Sequence, residues 1–337
     1  MARLFGGLLR PGKQFRALFS LVVAIGLMLG MSMGTTAQDK PTVSVGSKQF
    51  TEQLIVGEML ALLLEDAGYE VERNLGLAGT SVVHEALLSG EVDTYIEYTG
   101  TGLVTILNLP VPAATPGADA ATPSAEGTTE GQDAVFDIVK QEYAAQFDVA
   151  WLDPLGFNNT YTLALTEEKA TELGVETISD LIPHAGDLTI GATQEFLVRP
   201  DGLPGLMETY PGLEFDDEQG FEPDLVYAAI DEGDVDVISA FATDGRIPAL
   251  GLKTLEDDMG FFPPYYAAPV VRQELLDEDP AVADVLNQMA GLIDDTTMAG
   301  LSAQVVVDGE EPEDVARAFL EEQGLLGDGG GDATPAA

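Results

Sequence analysis

Residues 82–100 read VVHEALLSGEVDTYIEYTG, and residues 225–243 read LVYAAIDEGDVDVISAFAT. The two stretches align without gaps at an offset of 143 residues. Val83 falls on Val226, Ala86 on Ala229, Leu87 on Ile230, Gly90 on Gly233, Val92 on Val235 and Asp93 on Asp236. Each is an amphipathic helix, a glycine stop, an acidic turn and an apolar strand. Gly and Asp alone would be ordinary at such a turn, but the matched apolar positions indicate two lobes built on one plan. The alignment also sets Tyr98 on Phe241, so each lobe ends an equivalent strand with an aromatic ring. In parallel sheets ligands bind beyond the carboxyl ends of the strands, which brings both rings to a shared cleft.

The alternation continues outward from the repeat. Residues 42–47 place Val43 and Val45 on one face of a strand. Residues 51–66 form a helix striped by Leu54, Ile55, Met59, Leu62 and Leu63, with Gly68 at its stop. Further strands are expected at 69–75, 92–98, 161–165, 188–191, 235–240 and 266–271. Helices are expected at 81–88, 133–146, 178–184, 203–209, 224–231, 281–292 and 312–322. This is an α/β pattern, with mostly parallel sheets flanked by helices. Residues 111–132 break it: they are rich in Ala, Thr, Pro and Gly, show no apolar period, and read as a low-complexity insertion. The tail at 326–337 has the same character.

The chain has 14 basic and 58 acidic residues, and four of the basic ones precede residue 38. The ten that remain face all 58 acids, a net of −48. Such a field repels nucleic acid and anionic membranes. It fits an acidic solvated surface, and no stretch has the ligand spacing of a calcium loop. There is no cysteine, which excludes disulfides, thiolate zinc sites, cysteine nucleophiles and a lipid-modified cysteine. Residues 1–37 read as an export signal: basic up to Arg16, uncharged and apolar over 17–33, then Thr35 and Ala37 before a cut at Gln38. The alternative is an uncleaved anchor, short for a bilayer span. Either way the remainder lies outside the cytoplasm, at the periplasm or cell surface.

No catalytic constellation stands out. The two histidines, His84 and His184, belong to one helix and to the end of another, and read as surface or cap residues. Neither GxSxG nor HExxH occurs. No metal site or cofactor is implied. The rings Tyr98, Tyr161, Phe241 and Tyr265 fall at or near strand ends. Ring faces attract cations, and a quaternary ammonium, lacking N–H donors, is selected by such faces rather than by hydrogen bonds. From spacing alone the four rings fit core packing as well as a site. Lys48 and Arg199 stand at strand or helix ends that face a cleft, where a carboxylate would be held; two ordinary surface cations fit the spacing equally.

Six motifs in order bear on that choice: GSKQFTEQ (46–53), EYTGTG (97–102), LDPLGFNNTY (152–161), RPDGLPGL (199–206), FATDGRI (241–247) and GFFPPYYAAPVV (260–271). Over roughly residues 42–325, apart from the insertion, the chain resembles the binding proteins of osmoprotectant ABC importers for glycine betaine, choline or carnitine. The resemblance implies the two-lobed type II periplasmic-binding-protein fold with ligand in the cleft, a monomer, a membrane permease as partner, and no enzymatic activity. It implies a cation box of Tyr98, Tyr161, Phe241 and Tyr265, with Tyr266 a second candidate for the last. It implies a carboxylate side at Lys48, Thr101 and Arg199, with Asn159 and Glu195 lining the pocket. Position 241 is often Tyr in the family and is Phe here. Lobe 1 is expected at 41–110 and 246–325, a helix returning to it at 133–150, and lobe 2 at 151–245. Hinges are expected near 152–158 and 243–248. An unrelated solute such as an amino acid or ectoine on the same fold is the alternative.

Overall fold

The computed structural model describes residues 40–111 and 129–327. The expected export signal, most of the insertion and most of the tail lie outside the described residues. Among these residues ten strands form two five-stranded sheets. The strands are β1 (Thr42–Gly46), β2 (Glu70–Asn74), β3 (Thr94–Tyr98), β4 (Val149–Trp151), β5 (Tyr161–Thr166), β6 (Thr189–Thr193), β7 (Asp217–Phe221), β8 (Val237–Phe241), β9 (Leu252–Thr254) and β10 (Ala267–Arg272). One sheet has the order β2-β1-β3-β10-β4 and the other β7-β6-β8-β5-β9. In each, the first three strands are parallel and the fourth is antiparallel to the third. The helices used below are α1 (Thr51–Asp66), α2 (Thr80–Ser89), α3 (Thr129–Phe147), α4 (Leu203–Thr209), α5 (Pro223–Glu232), α6 (Asp295–Val306) and α7 (Pro312–Glu322).

The repeat is structural as well as sequential. Helices α2 and α5 end on Gly90 and Gly233, both left-handed at φ 78°, where a side chain would cost backbone strain. The aspartates that follow act alike: Asp93 Oδ2 accepts from Ser44 N at 2.9 Å, and Asp236 Oδ2 from Thr189 N at 3.0 Å. Each ties the strand after the helix to the neighbouring strand, β1 or β6. Close approach fixes one glycine in each of those strands, since a Cβ on Gly46 would meet Val92 at 2.9 Å and one on Gly191 would meet Val235 at 3.0 Å.

Helix α1 is apolar nearly all round and is covered nearly all round. Ile55, Val56, Met59, Leu60 and Leu64 are fully shut from solvent, with β1 and β2 on one side and α6 and α7 on the other. Each such side chain stabilises the fold by roughly 1.5–3 kcal/mol relative to exposure. No helix among the described residues is long and apolar enough to cross a membrane.

The chain passes between the sheets twice, from β4 to β5 and from β9 to β10, and the two crossovers are bonded together. Asn159 N donates to Tyr265 O at 3.1 Å, and Tyr265 N donates to Asn158 Oδ1 at 2.7 Å. Several boundaries differ from expectation. Trp151 pairs with Val270 in the first sheet, so the second lobe starts after it. Thr254 pairs with Ala164 in the second sheet, so the return to the first lobe falls after residue 254, not at 246. The expected hinge at 243–248 thus lies inside the second lobe. Strand β9, three residues long, is too short to show a period. Helix α3 begins at Thr129, inside the expected insertion. His84, expected at the surface, is buried and packs edge-on against Tyr143 and Phe147 of α3.

Candidate functional site

The carboxyl ends of β3 and β8 face one cavity of about 270 Å³. All nine residues singled out from the sequence line it: Lys48, Tyr98, Thr101, Asn159, Tyr161, Glu195, Arg199, Phe241 and Tyr265. Their positions follow from chain direction. Tyr98 and Phe241 are the last residues of equivalent strands. Tyr161 opens the antiparallel strand β5 and lies directly across from Phe241 in the ladder. Tyr265 and Asn159 belong to the two crossovers. Lys48 precedes α1, Thr101 sits in the turn after β3, and Glu195 and Arg199 lie between β6 and α4.

The rings form a continuous band. Tyr265 meets Tyr161 edge-on at 5.6 Å between centroids. Tyr161 meets Phe241 at 5.1 Å, and Phe241 stacks on Phe50 at 5.2 Å and 13°. Phe50 in turn stacks on Tyr98 at 6.2 Å. Phe50, which sequence reasoning missed, thus joins the rings of the two lobes. It stands just before α1 in GSKQFTEQ, beside Lys48, and that adjacency was the available signal.

Both basic residues are paired. Lys48 Nζ donates to Glu97 Oε1 at 2.6 Å, with side-chain exposures of 5% and 0%. Glu97 also accepts from Tyr95 Oη at 3.0 Å and from Tyr98 N at 2.8 Å. Arg199 spends one fork on Asp201, Nε at 2.8 Å and Nη2 at 2.5 Å, and Nη2 also donates to Thr101 Oγ1 at 3.1 Å. Tyr265 Oη donates to the same aspartate at 2.7 Å. Burial works to raise Asp201, but the Arg199 bond and charge outweigh it and hold the carboxyl below the usual range. The remaining guanidinium nitrogen, Nη1, lies 3.7 Å from Glu195 Oε2. A cation buried this deeply needs a counter-ion, so Glu97 and Asp201 were implied once Lys48 and Arg199 were placed at a site.

Glu195 reaches across the cleft. Its Oε1 accepts from Thr80 N at 2.7 Å, at the first turn of α2 in the other lobe. A carboxylate is favoured there because the helix N-terminus has unpaired N–H groups. At the rim Gln49 Nε2 donates to Glu222 Oε2 at 2.8 Å, a further bond between lobes.

Behind the rings lies a third buried carboxylate, Glu52, also missed. Its Oε1 accepts from Tyr98 Oη at 2.6 Å and from Asn159 Nδ2 at 2.9 Å, and its Oε2 accepts from Thr243 Oγ1. Burial pushes its pKa up to about 7, against the lowering effect of those three bonds. Asp201 and Glu52 are similarly buried, and the guanidinium beside one of them accounts for their opposite shifts. From sequence Glu52 reads as an ordinary acid in a first helical turn.

Chemically, the cavity offers ring faces beside a compensated guanidinium and a threonine, Arg199 Cζ lying 5.6 Å from the centre of the Tyr161 ring.

Residues 41–322 match the family described as the substrate binding domain of ABC-type glycine betaine transport systems. A Pseudomonas aeruginosa protein named glycine-betaine-binding protein is 36% identical over 86% of this chain and 90% of its own length. A Helicobacter pylori protein named ergothioneine transport permease/ergothioneine binding protein EgtU is 34% identical over 96% of this chain. The chain spans 56% of that protein's length. A crystal structure named for a glycine betaine/carnitine/choline ABC transporter is 30% identical, with a TM-score of 0.66 over 85% of this chain and all of its own.

Proposed function

The chain belongs to the family of substrate-binding domains of ABC-type glycine betaine transport systems, and from that premise we propose that it captures a small trimethylammonium zwitterion outside the cytoplasm and delivers it to a membrane permease. The family is one of transport binding proteins, not of enzymes. The observation that carries the ligand class is the band of five rings, Tyr265, Tyr161, Phe241, Phe50 and Tyr98, drawn from both lobes into one cavity. Each ring face contributes roughly 0.5–2 kcal/mol to a desolvated cation, and a trimethylammonium group presents no competing donor. Of the ligands named for relatives, glycine betaine, carnitine and ergothioneine join that group to a carboxylate, and choline joins it to a hydroxyl. The Nη1 edge of Arg199, 3.7 Å from Glu195 Oε2 and with Thr101 beside it, is the receiving end for the carboxylate. Glycine betaine is the first choice, because a cavity of about 270 Å³ is at the small end for ligand sites.

The mechanism is lobe closure. Glu195 to Thr80 and Arg199 to Thr101 bind the lobes at the cavity edge, and a ligand between the rings adds contacts that only the closed form makes. The crossovers at 152–160 and 255–266 are the hinge segments, tied by the Asn158 and Asn159 bonds to Tyr265.

A second reading, choline, rests on a specific observation. Lys48 and Arg199 are neutralised by Glu97 and Asp201, so the repulsion that would disfavour a bare cation is largely cancelled. Titration calorimetry with glycine betaine, carnitine, ergothioneine, choline and proline tests both. Heat with a trimethylammonium compound and none with proline supports the proposal; no heat with any quaternary ammonium overturns it.

A further inference from the structure

We propose that Glu52 is the positioning residue of the ring band, holding a wall ring, a crossover and the opposite lobe at once, and that its ionisation is coupled to cation binding. The inference rests on the trimethylammonium reading above.

The geometry is specific. Glu52 itself does not line the cavity, but Tyr98 and Asn159, both bonded to it, do. Its three donors come from three separate segments: Tyr98 ends β3 in the first lobe, Asn159 lies in the first crossover, and Thr243 follows β8 in the second lobe. One carboxylate therefore fixes the phenol that faces the ligand and joins the two lobes behind it. The residue is 4% exposed.

The charged groups around it leave it uncompensated. On its own helix side, Lys48 is taken by Glu97 of β3. On the second lobe, Arg246 is forked onto Asp244, by Nε at 2.9 Å and Nη2 at 2.7 Å, and Asp244 raises Glu52 further. From α6 the neutral Ser302 lines the small neighbouring pocket that Glu52 also lines. Burial dominates, and the carboxyl is poised near neutrality.

A quaternary cation placed against the Tyr98 ring is the missing opposite charge. It stabilises ionised Glu52, and ionised Glu52, bonded to the phenol, makes that ring face more negative. Linkage then requires proton release on binding and tighter binding as pH rises through neutrality. The proton leaves as Glu52–COOH becomes carboxylate plus H⁺ taken up by buffer.

The test uses the mature protein and glycine betaine as probe. The expected result is affinity about tenfold higher near pH 8 than near pH 5.5, one pKa unit of coupling. Calorimetry in two buffers of different ionisation enthalpy should show proton release at about pH 7, with no variant needed. Glu52→Gln keeps the size and one acceptor oxygen, replaces the other by an amide donor and carries no charge, so its affinity should not vary with pH. Glu52→Ala should lose both the pH response and the ring placement. Binding that is equally tight at both pH values, with no buffer dependence, overturns the coupling and leaves the ring-band reading standing. Absence of binding at either pH overturns both.

Discussion

Arg199 and Asp201 form a buried fork at 2.8 and 2.5 Å, and that pairing controls what the polar end of the cavity can hold. Replacing Asp201 by Asn leaves the guanidinium with Glu195, 3.7 Å from Nη1, as its remaining carboxylate partner. Asp201→Asn should shift preference toward carboxylate ligands, raising the ratio of glycine betaine to choline affinity about tenfold. It should also lower stability, since removing one partner of a buried pair costs about 3–5 kcal/mol. Calorimetry gives the ratio and thermal denaturation the loss. An unchanged ratio would mean that Arg199 does not face the ligand.

Tyr161 touches Phe241 at 5.1 Å and Tyr265 at 5.6 Å, the centre of the band. Tyr161→Leu keeps apolar bulk while removing the ring face. Affinity for a trimethylammonium ligand should fall about 3- to 30-fold, matching the loss of one cation–π contact. Phe50→Leu should fall in the same range. Equilibrium titration of both variants checks this.

Gly79 precedes α2 with no room for a side chain, because a Cβ there would lie 1.9 Å from Glu195 Oε1. Gly79→Ala should push Glu195 off Thr80 and remove a charged bond between lobes, which is worth about 1.5–3 kcal/mol. Ligand release should speed up about tenfold with little change in association, because most affinity changes within one interface appear in the off-rate. Stopped-flow ligand-exchange kinetics separate the two phases.

Glu52 carries a signed consequence for the unliganded protein. Its native pKa of about 7 lies above the ordinary 4.5, so between those values the folded state holds more protons than the unfolded one. Its contribution to stability is present at low pH and is lost as pH rises through 7. The slope approaches about 1.4 kcal/mol per pH unit for one proton. Denaturant unfolding of wild type and Glu52→Gln should show that slope in the difference between them from about pH 5 to 7, levelling off by about pH 8.

The repeat at an offset of 143 residues made the two-lobe plan readable, because helix, glycine stop, aspartate and strand each do the same physical job twice. Strand β7, DEQGF, was not readable. It is an edge strand with no buried residue, so no apolar period marks it. Helix α6 was missed although Asp294 caps it by accepting from Thr297 N at 2.7 Å; its first turn is polar. Nine of the residues that line the cavity were named from the motifs. Glu97 and Asp201 were reachable by charge compensation, as partners demanded by two buried cations. Glu52 was not, because its three donors are neutral side chains from distant parts of the chain, and only the fold brings them together.

The claim that the ring band selects a trimethylammonium group is tested most directly by comparing glycine betaine with glycine in one calorimetric series. The two share the carboxylate and differ in the three methyl groups on nitrogen. Binding of glycine betaine about a hundredfold or more tighter than glycine is the expected result, since ring faces favour the methylated cation while ammonium N–H donors find no acceptor among them. Equal affinity for the two would contradict the account.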